Sequence, residues 1–366
     1  MTDADRQHSH QAGGHHEHPP AAPGPAMPPA APGPAMAQPV DRVAEQKERN
    51  LRFAPVLPQR VSWARVAAFV VLALGLAWAV CAPMWASGQG LNHPLAQVLM
   101  VAMMYTPTVA ALLVTFVGGR PPSIPRRLGL GPLRPVGRVV GVTAISLAVF
   151  CLLPFLAVLL GGALGLVQLD LTSFSAAQAQ LDQVAQLTGS SDGMTPQQLV
   201  LVTVLVVPLN ALVSSLAAFG EELGWRGWLV PNLLPLGRWP ALLLSGLVWS
   251  VWHAPIILLG YNFGYTDIRG LALMTCFCLP LGVLLGWLRL RTASLWPAVV
   301  AHGAVNAATS ATLILLAADQ LQDVRQLGLG TFVGIPGWVL TVALIVLLVL
   351  TGQLRKQAEP GVPSSV

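Results

Sequence analysis

The stretch Phe219-Gly220-Glu221-Glu222-Leu223-Gly224-Trp225-Arg226-Gly227 lies at the end of a long apolar run. It places two adjacent carboxylates and an arginine among apolar neighbours. Ionisable groups inside or at the edge of a bilayer are costly, so they are candidates for a functional site. Two later apolar segments carry one histidine each, His253 and His302. We expect the three segments to converge on one buried polar site.

The composition indicates a polytopic helical membrane protein. The chain is 54% hydrophobic and 10% charged, whereas soluble domains carry about 25% charged residues. Its repeated apolar runs have the length of membrane-spanning helices. The net charge of +5 does not indicate nucleic-acid binding, because the basic residues lie in short loops between apolar runs. All four cysteines lie inside apolar segments, which predicts free thiols and no metal cluster.

We therefore predict an all-α fold, a polytopic membrane bundle of about eight transmembrane helices within residues 59–356. The expected spans are residues 63–85, 95–117, 139–160, 199–220 (continuing towards 230), 240–259, 271–288, 294–317 and 332–350. Residues 1–58, rich in Pro, Ala and His, are predicted to form a disordered cytoplasmic tail, because such sequence cannot bury a core. A second disordered tail is expected at residues 357–366.

The charges of the loops predict the orientation in the membrane. Arginines and lysines cluster before the first span and after the second, fourth, sixth and eighth spans. The third loop contains aspartates and neither Lys nor Arg. The positive-inside rule therefore places both termini in the cytoplasm, as an even number of spans requires. The composition of the tail suggests a bacterial protein, so the expected location is the bacterial cytoplasmic (inner) membrane.

Helical spacing groups the polar side chains. Glu222 and Arg226 are four residues apart, so they share a helix face and can form an ion pair. Glu221 is rotated by about 100° from Glu222, so its carboxylate can point elsewhere. Two more pairs have the four-residue spacing: Trp249 with His253, and His302 with Asn306.

The depths of these groups are similar. Glu221 lies about nine residues before Val230, roughly 13 Å along a helix, and His302 lies about as far into its own span. His253 lies roughly 20 Å into its span before any tilt. Since the three spans connect on the cytoplasmic side, we expect one site in that half of the bilayer, reachable from the cytosol.

This set of side chains can hydrolyse an amide. A carboxylate with imidazoles can hold and activate a water, with or without a metal ion. An asparagine and a second histidine can stabilise an oxyanion. Each motif alone also has a structural explanation: an ion pair at the membrane edge, a packed histidine, or an interhelical hydrogen bond from asparagine.

At these residues the sequence resembles the CPBP intramembrane proteases, the family that contains the Rce1-type CAAX prenyl endopeptidases. The family motifs are Glu-Glu-x3-Arg, an aromatic residue-x3-His, and His-x3-Asn. They are matched by Glu221-Glu222-x3-Arg226, Trp249-x3-His253 and His302-x3-Asn306, within residues 199–316. Trp249 is a departure, because phenylalanine is usual at its position in the family pattern.

The resemblance implies a membrane endopeptidase whose site opens towards the cytoplasm. It implies that Glu221 and His253 activate the attacking water, while His302 and Asn306 bind the oxyanion or complete a metal site. Glu222 and Arg226 would support them, and Trp249 would lie beside the imidazole. Zinc held by Glu221, His253 and His302 is the alternative to a metal-free, glutamate-dependent reaction. The implied substrate is a peptide or protein with an apolar or lipidated flank.

Two other functions remain open on the sequence. The same fold could serve as a non-catalytic membrane scaffold or as a bacteriocin-immunity-type protein that binds a partner. A proton-coupled transporter could use the carboxylate and the histidines as a relay. We rank the transporter last, because the sequence shows no paired broken helices in two similar halves.

Overall fold

The computed structural model describes residues 56–117, 123–131, 133, 135–189, 193–355 and 362–363. The predicted tails at 1–58 and 357–366 therefore lie outside the described residues, apart from 56–58 and 362–363. Within this part of the chain, helix dominates. The only strands described here are β1 (Val56–Leu57) and β2 (Val362–Pro363), which pair in parallel.

The helices follow one another along the chain with short connections. Those used below are α1 (Trp63–Ala86), α2 (Ala96–Met104), α3 (Thr106–Phe116), α4 (Ile124–Leu128), α5 (Val136–Ala163), α6 (Ser175–Thr188), α7 (Pro196–Glu222), α8 (Val230–Leu233), α9 (Arg238–Trp252), α10 (Ala254–Ile257), α11 (Ile268–Thr292), α12 (Trp296–Thr312), α13 (Val324–Gly330) and α14 (Ile335–Leu350). Single turns of 3₁₀-helix lie at Gly90–Asn92, Leu234–Leu236 and Leu313–Leu315, and a longer one at Ala318–Gln322. A π-helical segment, Leu223–Leu229, joins α7 to α8.

Seven helical segments of the described chain are long and apolar enough to cross a membrane, and they agree with seven of the expected spans. The exception is the span expected at 240–259, which consists of the 15-residue α9 and the short α10. It still runs the length of the bundle, because Leu242 of α9 packs on Gly286 near one end of α11, and Ile257 packs on Gly270 near the other. The expected helical membrane bundle is confirmed, and the protein is an integral membrane protein.

The two ends of the bundle are defined by contacts between their loops. At one end, the backbone N–H of Leu295 donates to the carbonyl of Gly129 at 2.8 Å. At the other, the N–H of Asp170 donates to the carbonyl of Leu315 at 3.0 Å. We call the first the basic end; it comprises residues 123–131, 230–238, 289–296 and 351–355 and contains Arg126, Arg127, Arg238, Arg289, Arg291 and Arg355. We call the second the acidic end; it comprises residues 87–95, 164–175, 258–267 and 313–334 and contains Asp170, Asp267, Asp319 and Asp323.

Two glycines next to the polar residues allow neighbouring helices to come close together. A Cβ atom at Gly303 of α12 would lie 2.6 Å from the carbonyl oxygen of Ala211 of α7. One at Gly224, in the π-helical segment, would overlap Pro107 of α3. Such contact requires a residue without a side chain. As a result, α12 and the π-helical segment are held against their neighbours next to His302 and Glu222.

Candidate functional site

Glu221, His253, His302 and Asn306 line one cavity of about 420 Å³. They come from the end of α7, from the break between α9 and α10, and from α12. Three of them are deeply buried: the exposed fractions of Glu221, His253 and His302 are 3%, 8% and 4%. Three distant stretches of the chain thus meet at one polar cluster. Their chemical roles stay predictions.

Trp249 is in contact with all three ionisable groups. Its indole N–H donates to Oε2 of Glu221 at 2.6 Å. Its ring packs edge-on against His302 at 5.4 Å between ring centroids, and lies 5.7 Å from the ring of His253. The sequence predicted only that this indole lies beside an imidazole; its hydrogen bond to the carboxylate was missed. A phenylalanine could not form that bond.

Glu222 faces away from the cavity and forms a buried ion-pair network. Its Oε1 accepts from Nη1 of Arg226 at 2.7 Å and lies 2.9 Å from Nδ1 of His302. The guanidinium of Arg226 also lies over the ring of Trp249, 4.4 Å from its centroid, in a cation–π contact. The expected division between the two carboxylates is therefore present: Glu222 is neutralised by partners, while Glu221 faces the cavity.

A local break in the helix fixes the ring of His253. The backbone N–H of His253 donates to the carbonyl of Ser250 at 3.2 Å, in the geometry of a tighter turn. The carbonyl of Trp249, four residues back, instead lies 2.8 Å from the ring Nδ1. Since a carbonyl only accepts, Nδ1 carries the proton and donates it. The lone pair of Nε2 is then free to accept a proton or a hydrogen bond.

The residues expected for zinc do not form a preformed metal site. Among the residues that the structure describes, no group of three His, Cys, Asp or Glu side chains is arranged to hold a metal ion. Oε2 of Glu221 is already engaged by the indole of Trp249. We therefore derive no reaction step through zinc.

The remaining wall of the cavity is largely apolar. It includes three methionines of α2 and the apolar face of α11: Met100, Met103, Met104, Met274, Phe277 and Leu281. The three motifs all lie in later spans, and the α2 residues were not among the predicted site residues. The spacing of three and four residues among the methionines places them on one helix face and was the available signal.

The cavity runs in one direction from the polar cluster. On α12 its lining proceeds from His302 through Asn306 to Ser310. It continues to Leu313 in the next 3₁₀ turn, roughly 16 Å along the helix axis from His302. No residue of α12 before His302 lines it. The exposed lining residues are Ser310 and Val324, which we call the mouth. Both lie towards the acidic end.

Comparisons with known proteins agree with the motifs. The family model described as type II CAAX prenyl endopeptidase Rce1-like matches residues 199–308. A curated relative, CAAX prenyl protease 2 of Methanococcus maripaludis, is 33% identical over 98 residues. The aligned stretch is 25% of this chain, and it spans about a third (36%) of that relative. The resemblance inferred from the three motifs is thereby confirmed for this part of the chain.

Proposed function

We propose that this chain, which has an Rce1-like core at residues 199–308, is a membrane endopeptidase that hydrolyses a peptide bond with a water activated by Glu221 and His253. The observation that carries the proposal is the shared cavity of Glu221, His253, His302 and Asn306. A carboxylate, two imidazoles and an amide around one buried space supply a base, a water-binding group and oxyanion donors.

The first step is activation of water. Oε2 of Glu221 is held by the indole of Trp249, so Oε1 accepts the proton of the water. Nε2 of His253, which is unprotonated because Nδ1 donates to a backbone carbonyl, accepts a hydrogen bond from the O–H that remains on the hydroxide. The hydroxide attacks the carbonyl carbon. Glu221 then delivers its proton to the leaving nitrogen as the C–N bond breaks.

The second element is stabilisation of the tetrahedral oxyanion. The side-chain amide of Asn306 donates one hydrogen bond. His302 donates a second from Nε2–H in its doubly protonated form, which the carboxylate of Glu222 stabilises at 2.9 Å. This assignment gives Glu222 an indirect task, since it sets the charge of His302 without touching the substrate.

The apolar wall indicates the kind of substrate. Methionine side chains are unbranched and adapt to irregular apolar groups, so a methionine-lined wall suits a ligand of variable apolar shape. We propose a peptide or protein with an apolar or lipidated flank next to the bond that is cut. The proposed location is the bacterial cytoplasmic (inner) membrane, from the composition of the N-terminal tail. The loop charges support both termini in the cytoplasm.

Peptide cleavage by the purified protein tests the function. The full chain in detergent is incubated with a library of peptides with apolar and lipidated flanks, in water enriched in oxygen-18. We expect cleavage at one bond, with one heavy oxygen in the new carboxylate. Glu221→Gln should abolish cleavage and keep the fold. Full activity of Glu221→Gln, or no cleavage of any peptide by the folded chain, would overturn the proposal.

The zinc alternative has its own measurement. Metal content of the wild-type protein is compared with that of a His253→Ala, His302→Ala variant, together with peptidase activity before and after chelation. The metal-free mechanism predicts no stoichiometric zinc and no loss of activity with chelator. One zinc per wild-type chain, absent from the variant and required for activity, would replace the carboxylate mechanism.

A further inference from the structure

The loop between α10 and α11, residues 258–267, forms part of the cavity wall through Tyr261 and Asn262. Its backbone turns sharply, because the N–H of Gly264 donates to the carbonyl of Gly260 at 2.9 Å. Asn262 lies in the left-handed region with φ of 65°, a conformation that asparagine adopts more readily than most residues. The backbone of the loop therefore fixes where its side chains lie.

Helix α13 packs against this loop and holds it in place. A Cβ atom at Gly328 would overlap the carbonyl oxygen of Asn262, so the helix and the loop are in direct contact. A Cβ atom at Gly264 would lie 3.6 Å from Cβ of Val324, a residue of the mouth. The loop thus connects the mouth with the part of the cavity wall that contains Tyr261.

The hydroxyl of Tyr261 has no acceptor within the part of the chain that the structure describes, although its half-buried side chain lines the cavity. The hydroxyl of Tyr105, by contrast, donates to the carbonyl of Leu216 at 2.7 Å. Burial raises the pKa of the Tyr261 phenol, and the carboxylate of Glu221 raises this pKa further. The phenol therefore keeps its proton and has a hydrogen bond to donate inside the cavity.

We propose that Tyr261 binds the substrate, and that its phenolic O–H donates to a backbone carbonyl of the peptide next to the bond that is cut. This inference rests on the proposed function for the identity of the ligand. A peptide presents neutral carbonyl oxygens as acceptors, and a neutral acceptor suits this position, because the nearby carboxylate of Glu221 repels an anionic one.

The bond from Tyr261 is made to a part of the peptide that does not react. It is equally strong in the bound substrate and in the transition state, so it contributes to affinity and leaves the rate of the chemical step unchanged. Tyr261 therefore differs in its task from Asn306, whose proposed bond goes to the oxyanion. The two can be separated by their effects on KM and kcat.

A second tyrosine of the same loop provides the matched control. Tyr265 does not line the cavity. Its ring lies 4.7 Å from the guanidinium carbon of Arg269 and 4.7 Å from that of Arg325. Replacement by phenylalanine removes one hydroxyl at either position and keeps the aromatic ring, so the two variants differ only in where the hydroxyl is lost.

Steady-state cleavage of one peptide substrate by the full chain in detergent is the first test. Tyr261→Phe should raise KM by about five- to tenfold, the effect of one lost hydrogen bond, and keep kcat within about twofold of wild type. Tyr265→Phe should change neither, and thermal melts verify that both variants fold. An unchanged KM in Tyr261→Phe, a fall in kcat alone, or equal effects in both variants would overturn the proposal.

A binding measurement gives a second test that needs no catalysis. A fluorescein-labelled peptide of alternating alanine and leucine residues is titrated with Glu221→Gln, and the anisotropy gives its Kd. Adding Tyr261→Phe should raise this Kd by about five- to tenfold, and adding Tyr265→Phe should not. Equal affinity of all three proteins, or no binding to folded Glu221→Gln, would contradict the proposed bond. Weakened binding by Tyr261→Phe without any cleavage by the wild type would reject the peptidase function and leave the bond in place.

Discussion

The indole N–H of Trp249 donates to Oε2 of Glu221 at 2.6 Å, across 28 residues of sequence. The bond ties the end of α7 to α9 in the buried part of the bundle. It also leaves a single carboxylate oxygen of Glu221 directed to the cavity. A hydrogen bond to a buried charged group contributes about 1.5–3 kcal/mol. Trp249 is thus a positioning residue for the proposed base.

Trp249→Phe should lower kcat by about 10- to 100-fold, because the carboxylate loses the donor that orients it. KM should change little because the aromatic ring is kept, whereas the thermal midpoint should fall by a few degrees because the buried carboxylate loses a hydrogen bond. The measurement is steady-state cleavage of one peptide beside a thermal melt in detergent. Trp287→Phe is the matched control: that indole donates to the carbonyl of Gln353 at the basic end, and its loss should leave kcat unchanged. Equal losses in both variants would contradict the assignment.

Replacement by glutamine should affect activity at Glu221 and stability at Glu222. Glu221→Gln removes the base and should lower kcat by at least about 10²-fold with little effect on stability. Glu222→Gln leaves the buried guanidinium of Arg226 without its partner, and should lower the free energy of unfolding by about 3 kcal/mol. Denaturant melts and activity assays on both variants check this. A destabilised Glu221→Gln with a stable Glu222→Gln would reverse the assignment.

Asn306→Ala should lower kcat by about 10²-fold, because one oxyanion donor is lost. Thr309→Ala is the matched control on the same helix and in the same cavity, and its kcat should stay within about threefold of wild type, since no role at the reacting atoms is assigned to it. Thermal midpoints of both variants verify folding. If the two variants lose activity equally, Asn306 is not the donor.

Gly303→Ala should separate α12 from α7 and weaken the contact of His302 with Glu222. The added Cβ would overlap Ser215 and lie 2.6 Å from the carbonyl oxygen of Ala211, so the free energy of unfolding should fall by about 1–3 kcal/mol. Gly141→Ala is the control, because a Cβ at that glycine of α5 meets no atom within 4 Å. A Gly303→Ala variant as stable as Gly141→Ala would contradict the close packing.

Asp170, at the acidic end, should make a pH-dependent contribution to the stability of the fold. Its carboxylate accepts from the hydroxyl and N–H of Ser173 and from the N–H of Ser175, and these bonds hold its pKa well below the usual range. A carboxylate whose pKa is lowered by folding stabilises the fold at pH values above its unfolded-state pKa of about 4. This stabilisation is lost as the pH falls from there towards the folded-state pKa. Asp170→Asn should lower the thermal midpoint at pH 7.

The difference in thermal midpoint between the wild type and Asp170→Asn should narrow steadily as the pH is lowered below about 4, because Asp170 then binds a proton in the unfolded chain while it stays ionised in the folded one. Thermal melts at several pH values give the comparison. Asp182→Asn is the control: its carboxylate accepts from one exposed glutamine side chain within α6. A constant difference between the wild type and Asp170→Asn across this pH range would contradict the account.

Much of this fold follows from composition, because a span requires a long apolar run, and such runs are visible in the sequence. The one span that departs, α9 with α10, is interrupted at His253, two residues before Pro255. A proline inside a helix distorts it and leaves an upstream carbonyl free, so a break near Pro255 was to be expected from the sequence. The bond of such a carbonyl to the ring of that histidine was not, because it depends on how the last turn of α9 tightens.

The residues of the candidate site could be predicted from the sequence, but most of the contacts between them could not. Four-residue spacing gave the pair of Glu222 and Arg226, since partners on one helix are fixed by periodicity. The bonds of Glu222 to His302 and of Trp249 to Glu221 cross between helices, and periodicity does not set the rotation of one helix against another. For the same reason, the sequence does not indicate towards which end of the bundle the cavity opens.

The hydrogen bond from the ring of His253 to the carbonyl of Trp249 has a consequence for ligand binding. A free imidazole exchanges between two tautomers, and a ligand that needs one of them must select it. Here the backbone makes that selection during folding, so no entropy is lost on it when a water or peptide arrives. The site is preorganised at this nitrogen in every molecule, before any substrate has entered the membrane.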